Sequence, residues 1–511
     1  MTANETLTKS CHLRINQPVK VAVFSAFFGG WLIYAFAATN ITLCTGDALT
    51  NVEFNGNMVW LGRWSAEWLS AFSTNFSLPA VAVGISLAAL SLAAGFVCSL
   101  LKFRSSLWAG LCGLVMVCHP AVGEIMKYTH NTDAYQLAIL LAAAAVYLAD
   151  QQPFRGWFVP AGLLLGIGVG AYQATLSFAV SIMTVAALRH ILFGDRDDRE
   201  LALTALRFAV TFLIALTVYL LGTWAGTHIT GISLTDYQSV SHMGQFSLKE
   251  FLHNFIGCYR DFKKDITYIS CRDGWFVSGY PNYLLTACAM GMCVVAYLRS
   301  KAKSPLRTAV MLILLALLPM LLCSIRLTNP GSVEQRMTYS TVGIFLLALV
   351  CGEQISHCSF DSAFWRVCVQ KLAPLAALIC TCVALLGWSV GINLDFFRGK
   401  LTYDRMSHVC SHFAQMAEQV EGYEADMPIY IIGSSDCPEI SALGFREPKY
   451  YYAFMHFYTG LPMPYGIANE VNAAAKEIAD TEAFAAMPAY PKEGCCCLID
   501  QCVIIKLGDA T

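Results

Sequence analysis

Thr45-Gly46-Asp47-Ala48-Leu49-Thr50, followed by Trp60-Leu61-Gly62-Arg63-Trp64, stands directly after the first long apolar run of the chain, which begins near Val21. The stretch sets an acid and an arginine, framed by tryptophans, where the chain leaves a bilayer. Ionisable groups at that depth are costly and are kept where they have a task. Outward from it the same alternation recurs to residue 389: apolar runs that can cross a hydrocarbon core of about 30 Å, broken by short polar stretches. The runs are 19–39, 77–101, 106–123, 134–150, 157–172, 174–193, 203–228, 281–298, 308–325, 338–356 and 366–389. About eleven spans make a mainly α, polytopic membrane protein.

Composition agrees. Of 511 residues 56% are hydrophobic and 13% charged, with a mean hydropathy of +0.54; soluble domains carry about twice that charge. A net charge of −2 leaves no basic stripe for phosphates, so no nucleic-acid partner is expected. Thr39-Asn40-Ile41-Thr42 offers no small-residue cleavage site, so no cleavable signal peptide is expected.

Basic residues set the orientation. Lys9, Arg14, Lys20, Lys102, Arg104, Arg155, Arg189, Arg196, Arg199, Arg207, Arg299, Lys301, Lys303, Arg307, Arg366 and Lys371 fall in one set of loops. The short loops of the other set hold only Arg63, Lys127, Arg326 and Arg336. The positive-inside rule then puts the N-terminus in the cytoplasm, and an odd number of spans puts the tail outside. The expected organisation is a membrane domain over 1–389, with external loops 40–76, 124–133, 229–280 and 326–337, and a small external α/β domain over 390–511. In that tail Met427–Gly433 reads as a strand, 468–487 as an Ala-rich helix, and 496–507 as a hairpin turning near Asp500-Gln501.

Candidate site residues gather on the external side. Asp47 is placed either to cap a helix or to act as a general base; Glu53 is a second acid. Arg63 presents a fork for phosphate oxygens, or anchors headgroups beside Trp60, Trp64 and Trp68. The loop 124–133 brings Glu124, Lys127, Tyr128, His130 and Asp133 into ten residues. Tyr172-Gln173 interrupts an apolar run after Gly166, Gly168 and Gly170, glycines that let helices approach, and can hydrogen-bond sugar hydroxyls. Arg326 and Arg336 break the charge rule twice in one short loop, which suggests an anionic ligand such as a lipid phosphate; the structural alternative is a pair with Glu334. The charged run of Arg260, Asp261, Lys263, Lys264, Asp265, Arg272 and Asp273 is expected to be partly solvated.

The 21 cysteines mostly sit singly in apolar runs as small buried hydrophobes. Cys495-Cys496-Cys497 with Cys502 lacks zinc spacing with histidines, and no metal ligand set is expected. Outside the cell Cys258 with Cys271, or pairs in the tail, can form disulfides.

These features resemble the GtrII-like glucosyltransferases, serotype-converting membrane enzymes that decorate surface polysaccharides. The matching pieces are Asp47 with Gly62-Arg63-Trp64, Tyr128 to Tyr135, Gly170-Ala171-Tyr172-Gln173 and Glu334-Gln335-Arg336-Met337. Ile429-Ile431-Ile432-Gly433 and Met487-Pro488-Ala489-Tyr490-Pro491, leading into Ile499-Asp500 and Val503 to Leu507, follow in order; 229–280 matches least. The resemblance implies a GT-C-like architecture in a bacterial cytoplasmic membrane, a polyprenyl-phosphate glucose donor and a polysaccharide or lipid-linked glycan acceptor. It also implies a catalytic acid in the first external loop, at Asp47. No cofactor is required, and a divalent metal is not indicated. The rivals are a GT-C transferase for another sugar or acceptor, such as teichoic acid or lipid A, a flippase of lipid-linked sugars, and a glycan-binding scaffold. A flippase predicts charges at mid-membrane depth, whereas the acids here gather at span ends.

Overall fold

A computed structural model describes residues 16–47, 58–71, 78–151, 156–194, 196–235, 247–267, 280–300, 303–328, 333–358, 362–434, 437–441, 443–444, 448–461, 463 and 468–508. Glu53, Arg155, Arg272, Asp273 and Cys271 lie outside them. The described chain is mostly helical and divides into two compact units. One holds the described parts of Met1–Ala38, Gly56–Asn75 and Ala80–Leu394; the other holds those of Thr39–Asn55, Phe76–Pro79 and Asp395–Thr511. The stretch read as one external loop, 40–76, is thus divided between the units.

Among the described residues, eight helices are long and apolar enough to cross a membrane: Gln17–Thr39, Pro79–Leu100, Thr132–Asp150, Thr175–Phe193, Asp198–Thr230, Tyr280–Arg299, Tyr339–Ser356 and Arg366–Glu418. A ninth crossing is possible where Ser106–Cys118 and Pro120–Met126 meet at 43°. Pro120 has no N–H to continue the ladder, and the bend falls there. Among the described residues the expected eleven is not confirmed. Phe158–Ala171 has 14 residues and Pro305–Ala316 has 12, and at 1.5 Å per residue neither spans a core of about 30 Å. The last span does not stop at 389 but continues as one helix to Glu418.

Apolar side chains such as Leu32, Leu213 and Leu220 stay exposed on these helices, as a lipid-facing surface requires. Small residues set the helix contacts. A Cβ on Gly162 or Gly166 would stand 2.6 Å from Ile214 or Val218, and one on Gly170 2.5 Å from Trp64. That stripe seats Phe158–Ala171 on Asp198–Thr230, the close packing expected of Gly166 and Gly170. At other helix ends Asp150 accepts from Arg196 Nη2 at 2.8 Å and lies 2.9 Å from His190 Nε2, so a buried carboxylate keeps its partners.

The long loop 229–280 contains a helix, Leu248–Thr267, and of the charged run expected to be partly solvated Arg260, Lys263 and Lys264 are exposed on it. Its burial is inverted: Asn254, Gly257 and Cys258 are buried, while Leu248, Leu252 and Ile256 are exposed. The Cys258 thiol donates to Cys323 O and Tyr259 Oη to Ala316 O. An apolar stripe facing outward is what a bilayer surface favours.

In the second unit strands β1 (Ile429–Ile432), β2 (Cys496–Ile499) and β3 (Cys502–Lys506) form a sheet of order β1-β3-β2. β1 runs parallel to β3, and β2 antiparallel to it. Asp500 and Gln501 turn the hairpin at φ 48° and 61°, as a two-residue turn of this hand demands. The Ala-rich segment is helical over Ala468–Ala479 and Glu482–Ala486. Cys495, Cys496, Cys497 and Cys502 form no disulfide. The core gathers Phe413, Tyr451, Phe454, Ile431 and Ile505 with Leu43.

Candidate active site

Arg63 follows a tight turn. Gly62 takes φ +69° after the short helix Val59–Leu61, a conformation that glycine adopts without strain. The loop is stitched down by Ser65 N to Gly170 O at 3.1 Å and Ser65 Oγ to Ile167 O at 2.7 Å. Arg63 thereby projects over two stacked rings, Tyr135 and Tyr172, whose centroids lie 4.4 Å apart. Its Nη1 donates to Tyr135 Oη at 2.6 Å and its Nε to Gln173 Oε1 at 3.2 Å. Gln173 Nε2 donates to Leu61 O at 2.6 Å, so this amide is spent on holding Arg63.

Arg336 arrives from the other side. Tyr172 Oη donates to its carbonyl at 2.9 Å. Its guanidinium lies 4.4 Å from the centroid of the Tyr128 ring, at cation–π distance, and its Nη2 is 2.7 Å from Glu334. The pair with Glu334 therefore forms, yet the Glu334 side chain is 36% exposed and can yield to a stronger anion. Arg336 is thus tied to Tyr172 by its backbone, while its guanidinium lies over Tyr128.

The remaining sequence candidates are distributed as follows. His130 is buried beside Tyr128. Burial first, then the charges of Arg63 and Arg336, push its pKa down to about 4, so it is neutral at pH 7 and both arginines act on it. Asp133 is fully buried, and its Oδ1 accepts from Ala134 N at 2.9 Å in the first turn of Thr132–Asp150. Glu124 and Lys127 pair with each other at 2.7 Å. Arg326 lies 3.7 Å from Asp261 of Leu248–Thr267. Asp47 is exposed and belongs to the second unit.

Sequence reasoning missed Tyr135 as the Arg63 partner, and with it a set of buried polar atoms. His130 Nδ1, Asn131 Oδ1, both side-chain polar atoms of Gln136, and Thr175 Oγ1 have no hydrogen-bond partner in the protein. Such atoms are rare in native interiors and call for a ligand or water. The available signal was polarity itself: Tyr135 and Gln136 stand where an apolar span begins.

The His130 environment predicts acid sensitivity. Its folded pKa lies below the ordinary 6.5, so the unfolded chain takes up the proton first. Stability is level above pH 6.5 and falls as pH drops to about 4, by roughly 3 kcal/mol in all. Unfolding midpoints in detergent across this window, compared with His130→Gln, check it; equal pH slopes for both proteins would remove His130 as the cause.

No curated protein and no solved structure matches the chain. A family model described as glucosyl transferase GtrII matches residues 35–351, a range that contains every member of the arginine–tyrosine cluster. The chain belongs to this GtrII glucosyltransferase family, and its activity is that of a glycosyltransferase.

Proposed function

We propose that the protein transfers glucose from a polyprenyl-phosphate carrier to a surface polysaccharide or lipid-linked glycan, at the external face of a bacterial cytoplasmic membrane. The observation that carries the reading is that Arg63, over the Tyr135–Tyr172 pair, and Arg336, over Tyr128, both direct their charge at the buried His130, with buried polar atoms that lack protein partners. Guanidinium forks suit phosphate oxygens, aromatic faces suit a sugar ring, and unpartnered donors and acceptors suit its hydroxyls.

In this mechanism Arg336 and Arg63 hold the carrier phosphate and offset the charge that develops as it leaves; Arg326 joins them when it releases Asp261. Asp47, with Glu53 as a second acid, takes the proton of an acceptor hydroxyl. That oxygen bonds to the anomeric carbon while the bond to the phosphate oxygen breaks, and the electron pair leaves with the carrier phosphate. One displacement through an oxocarbenium-like state inverts the centre. Tyr172 and Gln173 hold the arginines, because their polar atoms are already engaged in doing so. Glu124, Lys127, Asp133 and His130 face the sugar, and the second unit orients the acceptor glycan.

The test is transfer by purified protein in detergent from polyprenyl-phosphate glucose to a native glycan extract. The expected product has inverted anomeric configuration, and its rate of formation is unchanged by EDTA. Transfer from a nucleotide sugar with no polyprenyl carrier present would overturn the donor assignment.

A further inference from the structure

Apart from the arginine–tyrosine cluster, the first unit holds a small cavity of about 20 Å³, lined among others by His119, Asp265, Asn282, Gln335, Thr338 and Trp388. That volume admits one water or one hydroxyl. Its polar groups are not equivalent. Both ring nitrogens of His119 are engaged, Nε2 with Thr341 Oγ1 at 3.1 Å and Nδ1 with Ala121 N at 3.3 Å. Asn282 is 3% exposed; its Nδ2 donates to Ile266 O at 2.9 Å, while its Oδ1 has no partner. Asp265 Oδ2 is likewise buried without a partner. Burial and the neighbouring Asp261, against Lys264, raise the Asp265 carboxyl to about 7, so near neutral pH its acid form is populated and can donate a hydrogen bond.

Two buried oxygens without a partner, one an amide acceptor and one on a carboxyl that can donate, around a space of one hydroxyl, call for a group that both donates and accepts, an O–H. The cavity also adjoins the anion site through the chain, since Gln335 precedes Arg336, and Asp261, the partner of Arg326, lies one helical turn before Asp265. We propose that Asp265 and Asn282 form a hydroxyl-recognition subsite in which one hydroxyl of the sugar substrate donates to Asn282 Oδ1 and accepts from the Asp265 carboxyl. This rests on the family's sugar transfer, not on Asp47 or on the identity of the carrier.

The test uses the full-length protein in lipid nanodiscs, with wild type, Asp265→Leu and Asn282→Leu. Glucosyl donors, and separately acceptors, each lacking one hydroxyl, are compared by kcat/KM. Wild type is expected to disfavour one deoxy compound by about 10–100-fold, the cost of leaving buried polar groups unpaired. In the variants the parent substrate falls by a similar factor while that deoxy compound is unaffected. The series in which the position appears assigns the subsite to donor or acceptor. Variants that slow every substrate alike overturn the proposal. Saturation-transfer NMR with methyl glucoside reads binding without turnover. Contact with wild type that both variants lose supports the subsite, even if polyprenyl-phosphate glucose is not the donor. No contact with wild type, or equal contact with all three proteins, overturns it.

Discussion

Arg336→Ala is expected to lower sugar transfer by about 10²–10³-fold, the usual loss when one preorganised charge-stabilising group is removed from an active site. The protein should remain folded, because the Arg336 contact to Tyr172 is made by its backbone carbonyl and survives truncation of the side chain. Arg336→Lys is expected to restore only part of the rate. An ammonium keeps the charge but cannot present a planar fork or stack on the Tyr128 ring. Arg63→Gln should cost a comparable factor, and the double variant less than the product of the two, since both guanidinium charges act on the same buried His130 and such effects couple. The measurement is the transfer rate at saturating acceptor, with detergent-phase unfolding as the control for folding. A folded Arg336→Ala within threefold of wild type would remove the arginine from the chemistry and leave it as a Glu334 partner.

Much of this site was legible because ionisable residues obey strong rules beside a membrane. Arg63, Arg326 and Arg336 stood out as exceptions to the charge bias, and Tyr172-Gln173 as a polar break in an apolar run. Gly166 and Gly170 read correctly as packing positions because only a missing Cβ permits the approach of Val218 and Trp64. What the residues could not convey was pairing. Arg326 is taken by Asp261, a contact between stretches far apart in the chain, and Gln173 is spent on Arg63 rather than on a sugar. Asp265 was read only as part of a partly solvated run because the helix Leu248–Thr267 turns its apolar residues outward, so a rule that buries the apolar face gives the wrong side. The count of eleven spans is not confirmed where helices are short: hydropathy alone does not separate the 14 residues of Phe158–Ala171 from a full crossing. The hairpin at Asp500-Gln501 was read correctly because its turn chemistry is local.

Asp47→Asn separates two roles for the acid that opens the chain's first polar stretch. As a general base its loss should cost about 10²–10⁴-fold in transfer with unfolding unchanged. As a helix cap its loss should cost about 1 kcal/mol of stability with transfer kept, and Asn, itself a good cap, should cost less still. The base role is the expected outcome, with Asp47→Glu recovering part of the rate. Where Asp47 sits adds a second, independent arm. Leu43 N donates to Gly399 O at 3.0 Å, and Cys44 Sγ approaches Asp395 O at 3.9 Å. A Cβ on Gly46 would stand 2.3 Å from the Tyr450 ring, so that glycine lets the segment bearing Asp47 pack on Tyr450 within the second unit. Gly46→Val must push this segment away and should lower transfer without altering any reacting group, whereas Gly46→Val paired with Tyr450→Ala should recover part of it. A catalytic acid misplaced by about 1 Å can lose two orders of magnitude in rate. Full activity in both Asp47→Asn and Gly46→Val would turn the search for the base to Glu53, and full activity in Asp47→Asn alone would leave the segment a structural role.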